Sequence, residues 1–296
     1  MKNILIIGAN GFTGRRILND LSVNPIYHVT GCSLRDDICP GKDYRFVRTD
    51  IRDENEVRKL FKECRPDIVI NTSALSVPDY CETHHAEAEA TNVTAVETIA
   101  HVCEQYGSRF IHLSTDFVFD GKSTRLYKEE DEAIPVNYYG VMKLKAEKII
   151  ASICSNYAIV RVVVVYGKAL PGQHGNILQL VANRLRNGET IRVVSDQWRT
   201  PTFVGDISVG VEKLMFHTAN GIYHICGSEC LTIAEIAYRV ADFLKLDRSL
   251  IEPVTTEEMK ETTPRPRFSG LSIEKAKAEI GYTPRTLEEG MEASLF

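Results

Sequence analysis

The sequence lacks the features that mark membrane, secreted or nucleic-acid-binding proteins. Its longest strongly apolar stretch, residues 158–166, is interrupted by Arg161 and is far shorter than the roughly 20 residues that cross a bilayer. An apolar run follows Met1 almost directly, which leaves no room for a signal peptide. The net charge of −5 comes from interspersed charges of both signs, without a basic patch. We therefore expect a cytoplasmic protein with neither a membrane nor a nucleic-acid partner.

The sequence also lacks the residue spacings of disulfide and metal sites. Its eight cysteines are scattered, no Cys-x-x-Cys pair occurs, and Cys226 and Cys230 have no second ligand pair at the spacing of a zinc site. His84 and His85 do not fit the helical His-Glu-x-x-His pattern of a metalloprotease. We interpret most of the cysteines as small buried residues and expect no metal.

Short apolar runs alternate with helical patterns in the first half of the chain, which is typical of a parallel sheet covered on both faces. The second predicted helix begins with a capping box of Asp53 and Glu56. The sequence thus predicts an α/β, doubly wound parallel-sheet Rossmann fold with a smaller C-terminal substrate lobe. The predicted strands are residues 3–7, 28–32, 44–47, 68–71, 110–113 and 158–164, and the predicted helices are residues 13–21, 54–64, 86–106 and 138–155.

After Gly167 the alternation becomes irregular. We expect a dinucleotide-binding domain over residues 1–166, to which residues 203–226 return, and a substrate-binding lobe over residues 167–202 and 227–296. Further predicted helices are residues 176–186, 206–217 and 232–244, further predicted strands are residues 190–194 and 221–225, and residues 253–266 are expected to be irregular.

A glycine-rich loop, Gly8-Ala-Asn-Gly11-Phe-Thr-Gly14, follows the first predicted strand and opens the first predicted helix. The first glycine permits a tight turn, the second lets the backbone approach a pyrophosphate, and the third allows close packing of helix on strand. The N–H groups of the helix N-terminus favour the phosphates. The loop therefore predicts a dinucleotide cofactor, and the alternative is a glycine-rich turn with no ligand.

The end of the second predicted strand discriminates between NADP(H) and NAD(H). An acidic residue there would hold the ribose 2′-hydroxyl, but the chain has Cys32-Ser-Leu-Arg35. This arginine, with Arg15 and Arg16 just beyond the loop, favours a 2′-phosphate through charge-assisted hydrogen bonds. Asp36 and Asp37 weaken the argument, and both helix arginines could simply be solvated. On balance the sequence favours NADP(H) over NAD(H).

Tyr139 and Lys143 are four residues apart in a predicted helix, so their side chains share one face. A neighbouring ammonium favours the phenolate, which would lower the pKa of Tyr139 and make it a proton donor or acceptor near neutral pH. Thr115, at the end of a predicted strand, could hold a substrate oxygen against the phenol. The Tyr-x-x-x-Lys spacing alone is common, but behind a dinucleotide loop it indicates an oxidoreductase.

Motifs along nearly the whole chain resemble one family. They are the glycine loop, residues 71–74, 79–82 and 92–93, the string Ser114-Thr-Asp-Phe-Val-Phe-Asp-Gly121, the Tyr139 and Lys143 pair, Arg161 with its apolar run to Gly167, Asp196-Gln197, Pro201-Thr202 and Arg265-Pro-Arg267. On these residues the chain resembles an extended short-chain dehydrogenase/reductase and is similar to the dTDP-4-dehydrorhamnose reductases. The resemblance implies NADPH-dependent reduction of the C4 ketone of a nucleotide-linked deoxysugar, as in dTDP-L-rhamnose biosynthesis.

The expected site residues follow from the loop, the strand ends and this resemblance. The resemblance implies Thr115, Tyr139 and Lys143 as the catalytic trio. The expected cofactor contacts are Gly8, Asn10, Gly11, Phe12, Thr13, Gly14, Arg35, Asp50, Ile51, Ser73, Ala74, Leu75, Asn92, Tyr139, Lys143 and Val162, with Asp50 and Ile51 around the adenine. The expected substrate contacts are Val77, Asp79, Thr115, Phe117, Asn176, Trp198 and Arg199, with His174 and Gly175 beside Asn176.

Arg199 departs from the family, which usually has a glycine after the Asp-Gln-aromatic triplet. An arginine fork suits a diphosphate, so a nucleotide sugar is still expected while its base and sugar stay open. Trp198 either stacks on a base or packs on the sheet.

Two other functions stay open. The chain is similar to the regulatory subunit of methionine adenosyltransferase in the Asp-x-Val-Phe-Asp-Gly loop, the Tyr-x-x-x-Lys pair, and residues 31–35 and 232–251, which would imply an NADP-binding protein that acts through a partner. An NAD-dependent nucleotide-sugar epimerase is the other alternative. A dehydratase is disfavoured, because Asp116-Phe117 supplies one acid where two are usual. The sequence allows a homodimer but does not fix the oligomeric state.

Overall fold

The computed structural model describes residues 1–41, 43–173 and 175–294. A π-helical turn, Ala90–Thr94, follows the fourth helix. The strands are β1 Lys2–Ile7, β2 Tyr27–Ser33, β3 Arg45–Arg48, β4 Ile68–Asn71, β5 Arg109–Thr115, β6 Tyr157–Val162, β7 Val165–Tyr166, β8 Ile191–Val194, β9 Trp198–Arg199, β10 Thr202–Phe203, β11 Gly221–His224, β12 Leu231–Thr232 and β13 Ile251–Val254. The helices are α1 Phe12–Ser22, α2 Glu54–Cys64, α3 Pro78–Thr83, α4 His85–Glu89, α5 Ala95–Tyr106, α6 Tyr138–Ile153, α7 Ile177–Arg186, α8 Val204–Phe216, α9 Ile233–Leu244, α10 Thr256–Met259, α11 Glu274–Ile280 and α12 Leu287–Ala293.

A parallel sheet forms the centre of the fold and, over the described residues, has seven strands in the order β11-β6-β5-β4-β1-β2-β3. Apolar side chains of α1 and α8 pack in one cluster of buried residues, and those of α2, α5 and α6 pack in a second. The predicted α/β Rossmann fold is confirmed. The chain leaves β1 toward β2 on one side and returns to β4 on the other, and ligands of such sheets bind at the carboxyl ends beside this reversal.

α2 and β4 have the bounds that the sequence predicts. Asp53 caps α2 as expected, because its carboxylate accepts hydrogen bonds from two backbone N–H groups of the first turn. The reciprocal half of the predicted capping box is wrong: the Glu56 carboxylate accepts from the backbone N of Asp50 at 2.6 Å. This contact fixes the end of the loop after β3 against α2.

The predicted strand 158–164 is too long at its carboxyl end. β6 ends at Val162, because Val164 adopts a left-handed φ of +37° that breaks the extended backbone. Residues 253–266, predicted to be irregular, include the end of β13 and the short helix α10. Neither difference changes the order of the sheet.

The predicted single helix over residues 86–106 is interrupted. α4 and α5 are separated by the π-helical turn, in which one extra residue widens the helix. The Asn92 side chain in this turn accepts from the backbone N of Leu75 at 2.8 Å and donates to the Leu75 carbonyl at 3.0 Å. The interruption therefore supplies a side chain that holds the segment following β4.

The chain after β6 leaves the central sheet and later returns to it. β7 pairs with β10, β9 with β12 and β8 with β13, and α7, α9 and α12 form a third apolar cluster with these short strands. β11 then pairs in parallel with β6. None of the described helices has the length and apolar character needed to cross a membrane.

A buried ion pair fixes α6 against the sheet. Arg161 of β6 and Glu147 of α6 are 2% and 3% exposed, and Arg161 donates to the carboxylate at 3.0 Å from Nε and 2.7 Å from Nη2. Ser114 of β5 donates to the same carboxylate at 2.5 Å. The guanidinium carbon also lies 5.0 Å from the centre of the Phe119 ring. Because buried charges need partners, these contacts restrict how α6 can rotate or slide.

We expect Glu147→Gln to lower the free energy of unfolding by about 3–5 kcal/mol, because it leaves the Arg161 guanidinium buried without its counter-charge. Chemical denaturation followed by circular dichroism measures this change. Glu89→Gln is the matched control, since Glu89 is about half exposed in its pair with Lys145 and should cost less than about 0.5 kcal/mol. Equal losses from the two variants would contradict a special role for the buried pair.

Candidate active site

The glycine loop lies at the carboxyl end of β1 and leads into α1. Gly8 has a left-handed φ of +82°, and a Cβ there would come within 2.7 Å of Ser73 N. A Cβ at Gly14 would overlap the carbonyl oxygen of Gly8. No described side chain caps the N-terminus of α1, so its first N–H groups are available to an anion. The loop therefore has the close approach and the donors that a pyrophosphate requires.

A depression of about 260 Å³ continues from the loop across the ends of β2 and β4. The expected adenine contacts Asp50 and Ile51 lie in it. The Asp50 carboxylate accepts three hydrogen bonds from the Arg52 guanidinium, at 2.7, 2.9 and 3.2 Å, and these bonds lower the pKa of Asp50. Asp50 is thus ionised and already partly engaged. Other lining residues are Gly8, Gly11, Ser33, Leu34, Ser73, Ala74 and Leu75.

Arg15 and Arg16 do not form the basic pocket that the sequence suggests. Arg15 is buried, donates to Asp37 and donates to the Tyr44 hydroxyl at 2.8 Å. Arg16 pairs with Asp20 one turn along α1. Both arginines therefore have carboxylate partners within the chain. Arg35, just after β2, is exposed.

The Asn10 side chain supports the loop after β2. It donates to the carbonyl of Arg35 at 3.2 Å and to that of Asp36 at 2.9 Å, and it accepts from Arg15 at 2.9 Å. Asn92 is similarly engaged with the Leu75 backbone. These two expected cofactor contacts use their side chains to hold the backbone of the segments that follow β2 and β4.

A cleft of about 640 Å³, called the main cleft because it contains Tyr139 and Lys143, opens at the carboxyl ends of β5 and β6 and is continuous with the glycine loop. It brings together residues that the sequence places far apart. Those expected from the sequence are Asn10, Gly11, Phe12, Thr13, Gly14, Ala74, Thr115, Phe117, Tyr139, Lys143 and Val162. Lining residues that sequence reasoning did not select include Thr72, Ser114, Asp116, Gln173 and Arg265.

Tyr139 is largely buried at the base of this cleft, with its ring edge-on to Phe117 at 6.0 Å between centres. Burial raises the pKa of Tyr139, the Asp116 carboxylate raises it further, and a hydrogen bond with Thr115 lowers it. The expected lowering by Lys143 is wrong for this structure, because the lysine amine is directed at the sheet. Tyr139 therefore keeps its proton at neutral pH.

The Thr115 hydroxyl is held by two contacts. It donates to the Asp116 carboxylate at 3.1 Å and accepts from the backbone N of Phe117 at 3.2 Å. Asp116 is itself buried, and burial raises its pKa while the nearby Arg199 lowers it. The hydroxyl is thus fixed at the end of β5, next to Tyr139.

Lys143 is 2% exposed and reaches back to β5. Its Nζ donates to the Leu113 carbonyl at 2.6 Å and lies 2.9 Å from His112 Nε2. Burial lowers the pKa of Lys143 to about 8. Sequence reasoning missed His112, although a histidine in the middle of the apolar strand β5 is a readable signal.

Arg199 is not placed to bind a diphosphate. It is 2% exposed, and its guanidinium donates to the carbonyls of Trp198 and Pro266, each at 2.8 Å. Its Nε lies 3.7 Å from the Asp116 carboxylate. The sequence shows the arginine but does not show that the fold buries it beside the Asp116 carboxylate. The expected contact of Arg199 with a diphosphate is wrong for this reason. Arg199 instead supports the base of the site.

The other expected substrate contacts lie outside the main cleft. Asn176 caps α7 in a capping box with Gln179 and donates to the Gly167 carbonyl at 2.8 Å, so its side chain is already used. Trp198 is partly exposed on β9, and Val77 and Asp79 are exposed near the rim. His174 lies outside the described residues. Of the expected substrate contacts that the structure describes, Thr115 and Phe117 line the cleft.

Arg265 and Gln173 complete the cleft. Arg265 lies at its mouth, within 3.5 Å of the Asp79 carboxylate and 3.1 Å of the Glu261 carboxylate. Gln173 donates to the Asn10 carbonyl at 3.0 Å and so links the loop after β7 to the glycine loop. Among the residues that the structure covers, no three His, Cys, Asp or Glu side chains are grouped as metal ligands.

Comparison with known proteins adds to this geometry. A family model described as the RmlD substrate binding domain matches residues 1–295. A probable low-salt glycan biosynthesis reductase of Haloferax volcanii is 30% identical over 291 residues, which cover 97% of this chain and 95% of that protein. The methionine adenosyltransferase 2 subunit beta of Xenopus laevis is 31% identical over 290 residues, 96% of this chain and 84% of that protein. The crystal structure of a dTDP-4-dehydrorhamnose reductase of Bacillus anthracis in complex with NADP has a TM-score of 0.87 and 26% identity, covering 100% of this chain and 99% of that one.

We expect Gly14→Ala to weaken NADPH binding by about 5–150-fold, the equivalent of about 1–3 kcal/mol, because the new methyl group must displace the Gly8 carbonyl. Fluorescence titration measures the dissociation constant. Gly175→Ala is the control, since the contact given for a Cβ there among the described residues is an ordinary one, with the Gln179 side chain at 3.5 Å. A melting temperature separates lost binding from lost folding. Unchanged binding by a folded Gly14→Ala protein would contradict the assignment of the loop.

Proposed function

The chain belongs to the family of the RmlD substrate binding domain, and on this premise we propose that it uses NADPH to reduce the C4 ketone of a nucleotide-linked deoxysugar. One observation carries the proposal: a single cleft joins the glycine loop to Thr115, Tyr139 and Lys143. A proton donor and a second hydroxyl beside a cofactor site are what a carbonyl reduction requires. The likeness to an NADP-bound dTDP-4-dehydrorhamnose reductase supports dTDP-4-dehydrorhamnose as the first compound to test.

Each of the three residues Thr115, Tyr139 and Lys143 has a separate role in the proposed reaction. When bound, the nicotinamide cofactor supplies the hydride that the ketone carbon accepts. Tyr139 donates its proton to the developing alkoxide, and its raised pKa keeps that proton in place at neutral pH. The Thr115 hydroxyl turns from Asp116 to donate to the same oxygen. Lys143 would donate a hydrogen bond to the ribose of the nicotinamide half. Holding the ketone carbon close to the cofactor would account for much of the rest of the rate acceleration.

Arg265 is the proposed contact for the substrate diphosphate. Among the described lining residues of the cleft, Arg265 and Lys143 are the strong cations, and Lys143 is occupied at the base. The Arg265 guanidinium is about one-third exposed at the mouth, and its planar fork matches phosphate oxygens. Phe117, beside Tyr139, is the proposed contact for the sugar ring. The short strands and helices after β6 form the proposed substrate lobe.

The decisive experiment is NADPH oxidation against a panel of nucleotide 4-keto-6-deoxysugars, dTDP-4-dehydrorhamnose included. We expect turnover with at least one sugar and a loss of about 10²–10⁴-fold in kcat for Tyr139→Phe, because the proton donor is removed. Tyr138→Phe is the matched control, since its ring stacks on His85 and does not line the cleft. Lys143→Ala tests the third member of the trio. If no compound of the panel supports NADPH oxidation, the proposed activity is wrong, whereas the assignment of the fold is unaffected.

The preference for NADPH is proposed to depend on Arg35. We expect Arg35→Ala to raise the KM for NADPH by about tenfold and to leave the KM for NADH nearly unchanged, because one charge-assisted hydrogen bond to the 2′-phosphate is lost. Arg16→Ala is the control, since Arg16 is paired with Asp20. Steady-state kinetics with both cofactors measures the ratio. Equal losses with both cofactors would contradict the assignment.

A partner-binding role is the second candidate, supported by the 31% identity to the methionine adenosyltransferase 2 subunit beta. Co-purification of a methionine adenosyltransferase with this chain, together with no NADPH oxidation on the panel, would favour that role. An epimerase is the third. Tightly bound NAD in the purified protein would favour it, because epimerases retain their cofactor through the catalytic cycle.

A further inference from the structure

One buried side chain contacts both the helix that carries Tyr139 and the segment that carries Arg265. Asn137 is 4% exposed and lies directly before α6. Its Oδ1 accepts from the backbone N of Gly140, in the first turn of the helix, at 2.8 Å. Its Nδ2 donates to the carbonyl of Pro264, 127 residues further along the chain, at 2.9 Å. The reaction outlined above assigns no role to this residue.

The orientation of the Asn137 amide is fixed from both sides. A backbone N–H can only donate, so the amide oxygen must face Gly140. A carbonyl can only accept, so the NH₂ group must face Pro264. A buried amide that lost either partner would leave a polar group unsatisfied. One side chain therefore holds the start of α6 and the segment around Pro264 at a fixed separation.

The contact with Pro264 bears directly on Arg265, because one peptide plane contains the Pro264 carbonyl and the Arg265 Cα. Holding the carbonyl oxygen therefore limits the position from which the arginine side chain extends. Pro266 follows, and a residue before proline is restricted to extended backbone. The Pro266 carbonyl is held in turn by the Arg199 guanidinium at 2.8 Å. Arg265 thus lies between two carbonyls that are both fixed by buried side chains.

The segment after Arg265 is anchored to the loop that follows β5. The backbone N of Phe268 donates to the Gly121 carbonyl at 3.2 Å. The Ser269 hydroxyl donates to the Asp116 carboxylate. These contacts fix the segment on its carboxyl side, and the side chain that caps α6 fixes it on its amino side.

The Arg265 guanidinium keeps a donor for a ligand. It lies 3.5 Å from the Asp79 carboxylate and 3.1 Å from the Glu261 carboxylate. Its Nε is buried and has no hydrogen-bond partner among the residues that the structure describes. A buried N–H needs an acceptor, and the oxygens of a phosphate match the planar fork of an arginine.

We propose that Asn137 is a positioning residue that sets the distance between Tyr139, the proposed proton donor, and Arg265, the proposed diphosphate contact. The amide oxygen holds the turn of α6 that contains Tyr139, and the NH₂ group holds the backbone that presents Arg265. A nucleotide sugar carries its C4 ketone and its diphosphate on opposite sides of the sugar ring, so it would extend between these two residues. This inference rests on the proposed function for the identity of the ligand.

Asn137→Ser separates the two contacts, because serine also caps a helix N-terminus but has no NH₂ group for Pro264. With a nucleotide sugar that the panel shows to be reduced, we expect KM to rise about tenfold and kcat to stay within about twofold. The rise should vanish in an Arg265→Ala background, since Asn137 acts through that arginine.

Asp53→Ser, which exchanges the N-cap of α2, is the control for the kinetic test and should change neither constant. A fall in kcat at unchanged KM would show that Asn137 acts through α6 alone and would overturn the proposal. An equal rise in KM with and without the Arg265 guanidinium would also overturn it.

Hydrogen exchange of the full chain tests the contact without any sugar. We expect Asn137→Ser to speed the exchange of the backbone amides of residues 261–268 about tenfold, measured by mass spectrometry, and to leave those of α6 unchanged. Asn137→Asp should give the same result, because aspartate caps a helix but its carboxylate cannot donate to Pro264. Unchanged exchange of residues 261–268 in both folded variants overturns the proposal. Faster exchange in a protein that reduces no sugar supports the role of Asn137 in holding Arg265 and removes the proposed activity alone.

Discussion

The buried pair of Arg161 and Glu147 is the contact on which the placement of the active site depends. α6 presents Tyr139, Lys143 and Glu147 at four-residue intervals, so the three side chains share one face. Glu147 is bound from β5 and from β6 at once. A carboxylate and a guanidinium that have both lost their water cannot be drawn apart without a large cost. The rotation of α6 is thereby set, and with it the position of Tyr139 and Lys143 at the carboxyl end of the sheet.

Features that depend on local pattern could be predicted from the sequence. Apolar period and length gave the parallel sheet, with β4 and α2 at their observed bounds, because burial on both faces leaves a continuous apolar run in each strand. The glycine loop was readable because the steric demand at Gly8 and Gly14 admits only that residue. The break between α4 and α5 could not be predicted from the sequence, because the π-helical turn depends on a contact of Asn92 with the distant Leu75 backbone. The left-handed Val164 is a similar case: nothing in a run of valines indicates it.

Side-chain roles were harder to predict, because the type of a residue does not determine which group it contacts in the folded chain. Arg199 and Arg15 carry the charge that phosphate binding needs, yet each is matched by a carboxylate that the fold brings in, the buried Asp116 or the partly buried Asp37. Asn176 is different, because its capping box with Gln179 was visible as a spacing of three and could have been weighed against a substrate role. Cleft residues supplied by loops, such as Gln173 and Arg265, had no periodic signal to reveal them.

Burial acts on Tyr139 and Lys143 in opposite directions on the pKa scale but toward the same kind of chemistry. Loss of water penalises the charged form of each group, so it raises the pKa of Tyr139 and lowers that of Lys143. In the proposed reduction, the phenol keeps the proton that the developing alkoxide is to accept. Burial raises the pKa of Asp116, and Arg199, which faces its carboxylate, opposes that rise; the guanidinium also moderates the field of that carboxylate on the phenol. The arginine that the sequence assigned to the substrate therefore acts, through Asp116, on the proposed proton donor from behind the cleft.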